Sequence, residues 1–194
     1  GSQAIAQGAE DTAFKSYFIA NTSTGLEAAD TLTEDFISQP SFTFGSKGST
    51  SGRLMPEFYL RETFNQAPEA LFDNVGFSGD HSRTIALVQS GAYATGAVNF
   101  KVWERELEEG KIDTSKVKVV WETPTYPDYH WTVRGDLDEK FGEGFSQRVT
   151  EVLLAIEDPV LLNAFPREKF IPASNADYAP IEETAQEIGL LDAP

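Results

Sequence analysis

Apolar residues occur along this chain in short bursts, punctuated by clusters of Gly, Ser, Thr and Pro. Tyr17-Phe18-Ile19-Ala20 is apolar enough for a strand buried on both faces. A loop with a short amphipathic piece around Leu26–Phe36 follows, and Phe42-Thr43-Phe44 predicts a second strand. Arg53–Phe64 reads as a helix with Leu54, Phe58 and Leu60 on its apolar side; Pro56 should bend it or confine it to a loose first turn. A short helix over Ala67–Asp73 opens at Pro68, and Val75-Gly76-Phe77 is a brief strand. Gly79-Asp80-His81-Ser82 then opens a helix that turns Ile85, Leu87 and Val88 inward and stops at Gly91. Gly96–Phe100 predicts a strand, Val102–Glu109 a charged helix ended by Gly110, and Lys116–Trp121 an alternating, half-buried strand. Strands and helices thus alternate through residues 17–121, which predicts an α/β unit with a mostly parallel sheet.

The pattern changes after Thr123. Thr123–Tyr129 is stiff and aromatic, and His130–Arg134 predicts one more strand. Phe141, Phe145, Val149, Val152, Leu153 and Ile156 recur at the spacing of one long amphipathic helix. A last helix is expected from near Pro180, capped by Asp177, to Gly189. Residues 3–13 are small and polar and carry no periodicity. Residues 22–124 read as one compact α/β unit, with helices in 125–194 that need another surface to pack on.

Composition narrows the functional classes. Among 194 residues there are 31 acidic and 15 basic ones, a net charge of −16. That balance opposes nucleic acid and anionic membranes, both of which need a basic face. A small anion is still compatible, since clustered N–H and O–H donors can hold one inside an acidic protein. No cysteine is present, which excludes disulfides, a thiol nucleophile and thiolate metal ligation. The two histidines, His81 and His130, offer no His-rich metal site, and no metal or cofactor is expected. Gly1-Ser2 reads as the remnant of a cleaved tag, so removal of a native N-terminus is expected, and the lack of a signal peptide says nothing about export.

Candidate chemistry centres on two helix starts. In Gly45–Gly52, GSKGSTSG, the hydroxyls of Ser49, Thr50 and Ser51 stand at a helix N-terminus whose first amides lack intrahelical partners. The helix dipole makes that end partly positive, and glycines allow a guest to approach the backbone. The order of residues is not that of a nucleotide-binding Walker loop. Asp80, His81 and Ser82 open a second helix of the same kind. Two such ends converging on one gap would cradle a tetrahedral oxyanion; a pair of ordinary capped turns is the alternative. Tyr126–Trp131 is either a cleft-lining hinge or a buried crossover. No serine has the signature of a catalytic triad, so no catalytic residue is assigned.

FTFGSKGSTSGRLMPEFYLRE, GFSGDHSRTIALVQSGAYATGAVNF and GKIDTSKVKVVWETPTYPDYHWTVRGDLDEKF together resemble the phosphonate/phosphite-binding family, extracytoplasmic solute-binding proteins of ABC importers. The order is kept over nearly the whole chain, and the likeness is greatest to a branch that carries a selenate-binding label. The resemblance implies a type II periplasmic-binding-protein fold: an α/β lobe with a mixed, mostly parallel sheet, joined by two crossovers to a first lobe and closing on ligand. On this basis residues 1–21 hold a remnant of the first lobe and the first crossover, near Tyr17–Asn21. Residues 22–124 form the second lobe, and 125–194 the second crossover and the C-terminal helices of a truncated first lobe. It further implies capture of a small oxyanion by Ser49, Thr50, Ser51, His81, Ser82, Asn99 and Asp128. Delivery to a membrane permease follows, with no catalysis, cofactor or nucleic acid, by a monomer outside the cytoplasmic membrane. A ligand with its own acidic O–H could donate to Asp128, whereas selenate or sulfate could not. An effector domain of a transcription regulator and, behind it, a phosphoryl-handling enzyme are the rival readings.

Overall fold

The computed structural model describes residues 1–165 and 167–191; residues 192–194 of the expected C-terminal segment lie outside that range. The chain divides into two compact units. Gly1–Phe14 joins Thr125–Glu183 in one, and Lys15–Pro124 joins the chain from Thr184 in the other.

The second unit carries a five-stranded sheet of β2 (Ser16–Asn21), β3 (Ser41–Phe44), β4 (Asn74–Phe77), β5 (Thr95–Asn99) and β6 (Val117–Glu122), in the order β4-β3-β5-β2-β6. β3 pairs in parallel with β4 and β5, while β2 runs antiparallel to both β5 and β6. Four strands therefore point one way and β2 runs against them, the mixed sheet that the resemblance implies. Tyr17–Asn21 is most of this reversed strand, and the chain enters the unit at Lys15.

Burial on both faces explains the apolar bursts. Phe18, Phe42, Phe44, Phe36, Leu60 and Phe72 fill one side of the sheet; Ile19, Ile85, Val88, Val98, Trp103 and Val117 fill the other. The flanking helices are α1 (Glu34–Ile37), α2 (Met55–Phe64), α3 (Pro68–Leu71), α4 (His81–Gln89) and α5 (Phe100–Glu108). Pro56 sits in the first turn of α2, where its missing N–H costs nothing.

The first unit has a three-stranded antiparallel sheet, β7 (His130–Arg134), β1 (Ser2–Gly8) and β8 (Phe170–Pro172), with β1 in the middle. The unplaced residues 3–13 thus supply the central strand and a 3-10 turn, Ala9–Ala13. The single long helix expected after Lys140 is two helices, α6 (Leu137–Phe141) and α7 (Phe145–Leu154). Gly142 and Gly144 lie between them at φ 96° and 75°, a backbone region that ends a helix. α8 (Pro159–Ala164) and α9 (Ala179–Glu187) follow. The turn before α9 is capped by Ser174, with Asp177 as the reciprocal member of the capping box rather than the cap.

Candidate functional site

The GSKGSTSG loop follows β3 and ends in a wide, π-type turn, Thr50–Leu54, that leads into α2. Ser49 caps it: its Oγ accepts the Gly52 N–H at 2.9 Å, and its carbonyl accepts the N–H groups of both Arg53 and Leu54 at 3.0 Å. The N–H groups of Thr50 and Ser51 find no acceptor among the described residues. Such widened turns recur at functional sites because they leave backbone groups unspent. Ser16, at the start of β2, donates its Oγ–H to the Ser51 carbonyl at 2.7 Å and fixes the turn to the sheet.

The second helix start is sewn to the first. Ser78 N–H donates to the Phe44 carbonyl at 2.9 Å, and Gly79 N–H to the Gly45 carbonyl at 3.2 Å. Gly79 takes φ 98° to make this bend. Asp80 then caps α4, accepting the Arg83 N–H at 2.8 Å. A Cβ on Gly52 would lie 2.9 Å from His81 Cε1 and 2.9 Å from Ser49 Oγ, so Gly52 is what lets the imidazole rest against the turn. The two helix starts do converge.

His81 Nδ1 accepts the Asn99 N–H at 3.2 Å. A ring nitrogen that accepts carries no proton, so the neutral ring holds its hydrogen on Nε2. Burial lowers the His81 pKa from its ordinary 6.5 against an upward pull from Asp80. The group offered at the gap is therefore an uncharged N–H donor beside hydroxyls and free amides. This set suits an anion held by dipoles rather than by a counter-ion.

Two expected ligand contacts have intramolecular partners in the structure. Ser82 donates its hydroxyl to the Glu106 carboxylate on α5, so its proton is spent between helices. The Asn99 side-chain oxygen caps α5, accepting from Lys101 N at 2.8 Å and Val102 N at 3.3 Å; Asn99 acts on the site through the N–H that orients His81. Capping is the commonest use of an Asn or Ser at a helix start, and the motif alone did not separate it from ligand contact.

Asp128 belongs to the first unit. It is buried, its Oδ2 has no hydrogen-bond partner, and its N–H donates to the Asp11 carbonyl at 3.0 Å. Burial first, and the Asp11 carboxylate second, push its pKa up to about 7, with Arg167 pulling the other way. Ser16, Asp11 and Arg167 are missing from the sequence-based set: the partners that give them meaning lie 35 and 156 residues away. Among the described residues no cluster of three or more His, Asp or Glu could hold a metal ion, and no helix is long and apolar enough to cross a membrane.

Residues 1–178 match the family described as "ABC transporter, phosphonate, periplasmic substrate-binding protein". The probable ABC transporter phosphite-binding protein PhnD1 of Prochlorococcus marinus is 39% identical over 193 residues; the match covers 96% of this chain and 65% of that protein. The structure of that PhnD1 in complex with methylphosphonate superposes with a TM-score of 0.86 at 38% identity, over 98% of this chain and 72% of that one. The binding component of a Pseudomonas aeruginosa ABC phosphonate transporter gives a TM-score of 0.75 at 22% identity, over 96% of this chain and 62% of that one, a likeness of fold. The chain thus spans just under two thirds of the curated relative's length.

Proposed function

From a chain that belongs to the family of ABC-transporter periplasmic phosphonate-binding proteins, we infer a capture module for a small tetrahedral oxyanion of the phosphonate or phosphite kind. The carrying observation is the joining of two helix starts, Thr50–Leu54 and His81–Gln89, through Ser78, Gly79 and the contact of His81 with Gly52. Ser49, Thr50, Ser51 and His81 donate to the guest, and Asn99 orients His81. The protein works outside the cytoplasmic membrane, performs no chemistry and passes its guest to permease subunits. Nothing in the structure favours the regulator or enzyme readings.

Calorimetric titration of the full-length protein with phosphite, methylphosphonate, selenate and sulfate tests this. Binding of phosphite or methylphosphonate, lost in His81→Ala, is expected. Binding of no oxyanion would refute it, and a preference for selenate and sulfate would refute the phosphonate or phosphite class.

A further inference from the structure

Pro56 leaves a gap in the backbone bonding of the first helix start. In the wide turn Thr50–Leu54 the N–H groups reach back five residues: Leu54 donates to the Ser49 carbonyl at 3.0 Å, and Met55 to the Thr50 carbonyl. The next donor in that register is residue 56, for the Ser51 carbonyl, and proline has no N–H. Ser51 is 1% exposed, so its carbonyl needs a donor from the protein.

Two donors compete for that carbonyl. In an ordinary α-helix it would accept from Met55, four residues on. Here Met55 serves Thr50, and the Ser51 carbonyl accepts the Ser16 hydroxyl at 2.7 Å. The Gly52 carbonyl is likewise served from outside the helix, by Gly45 N–H at 2.8 Å. Both ends of the Ser51–Gly52 peptide are then held, the carbonyl by Ser16 and the N–H by Ser49 Oγ at 2.9 Å.

Ser16 is itself firmly placed. It is fully buried, its N–H donates to Thr123 Oγ1 at 3.0 Å, and its carbonyl accepts the Thr123 N–H at 3.0 Å. Its partner across the β2–β5 ladder is Asn99, whose N–H orients His81. One rung of the sheet therefore carries both helix starts.

We propose that Ser16 is a positioning residue of the cradle, which selects the wide register of the Thr50–Leu54 turn by holding the Ser51 carbonyl away from Met55. Without its hydroxyl, Met55 N–H passes from Thr50 to Ser51 and Leu54 N–H from Ser49 to Thr50. The turn closes to α-helical width, and the Thr50 and Ser51 amides lose their present direction. The consequence for affinity rests on the assignment of Thr50 and Ser51 as donors to the guest.

The test compares full-length wild type with Ser16→Ala and Ser16→Thr. The acceptor of Met55 is read without ligand, from the NMR coupling across the hydrogen bond between its amide nitrogen and a carbonyl carbon: that of Thr50 in wild type, that of Ser51 in Ser16→Ala. Each of these carbonyls has a donor in either register, so the denaturation midpoint of Ser16→Ala changes little. Its methylphosphonate affinity, measured by calorimetry, falls about tenfold, because the donors must be re-formed on binding. Loss of a merely structural bond would lower the midpoint and leave the Met55 acceptor in place. Ser16→Thr keeps the hydroxyl and returns affinity to within about threefold of wild type; if its added methyl prevents folding, Ser16→Ala decides alone. Met55 still coupled to Thr50 in Ser16→Ala, or methylphosphonate bound as tightly as by wild type, overturns the proposal. A wild-type protein that binds no oxyanion overturns the functional reading and with it Ser16's part in affinity, while the Met55 acceptor still decides the register.

Discussion

The oxyanion cradle of the second unit and the acidic corner of the first solve opposite problems with opposite materials. The cradle prepares for a charge using neutral groups: two backbone amides, hydroxyls and a deprotonated Nδ1 that leaves its imidazole uncharged. Its donors are held by caps and turns, so little reorganisation is needed when a guest arrives. The corner buries full charges, and it does so with one carboxylate matched and one not. Dipoles give an anion somewhere to sit without favouring a protonation state. A buried carboxyl without a hydrogen-bond partner favours its protonated form.

The largest way to break this division is Arg167→Ala. It strands Asp11 as a buried charge, and chemical denaturation should show a loss of about 3–5 kcal/mol. A loss below about 1 kcal/mol would mean that the pair is hydrated and the corner is not a dry charge site. Gly52→Ala strikes the cradle instead. The new Cβ must displace His81 or Ser49, and methylphosphonate affinity should drop by a factor of about 30, or ~2 kcal/mol, while the denaturation midpoint changes much less.

Asp128→Asn sharpens the comparison through pH. A carboxyl whose folded-state pKa is raised from 3.8 to about 7 contributes stability that is fully present below about pH 4 and lost as pH rises through 7. The Asn variant should thus gain on wild type across that window, by about 4 kcal/mol, with the difference flat above it. A constant difference from acid to alkaline pH would show that Asp128 is not desolvated. His81 has the reverse sign. Its lowered pKa makes its contribution complete above 6.5 and lost as pH falls through the folded value, so methylphosphonate binding should weaken on the acid side. Smallest of all is Ser82→Ala: the Glu106 bond is lost at a cost of about 1 kcal/mol, and affinity should change less than threefold. A large loss of affinity would restore Ser82 to the cradle.

Much of the second unit was legible before any coordinates. β2 and β3 are buried on both faces, so they appear as apolar runs, and the glycine and hydroxyl clusters after the strands mark the helix starts. The helix starts at Ser49 and Asp80 were visible because capping is a local event, decided within four residues. The first unit was far less legible. β1 is made of Ser, Gln, Ala, Ile and Gly, with no alternation to announce a central strand; it earns its place through β7 and β8 on either side. The break between α6 and α7 could have been noticed at Gly142 and Gly144, but a sustained apolar period outweighed them.

By itself, then, the sequence determined the α/β alternation, the two donor-rich helix starts and the absence of thiol chemistry, because each depends on residues close together along the chain. Only the tertiary structure decided that the two starts are stitched together, that Asn99 serves His81, that Ser82 is spent on Glu106 and that Arg167 is claimed by Asp11 rather than Asp128. Those outcomes are choices among competing partners for one donor or one charge. Which partner wins depends on distance and desolvation in three dimensions, and a one-dimensional pattern carries neither.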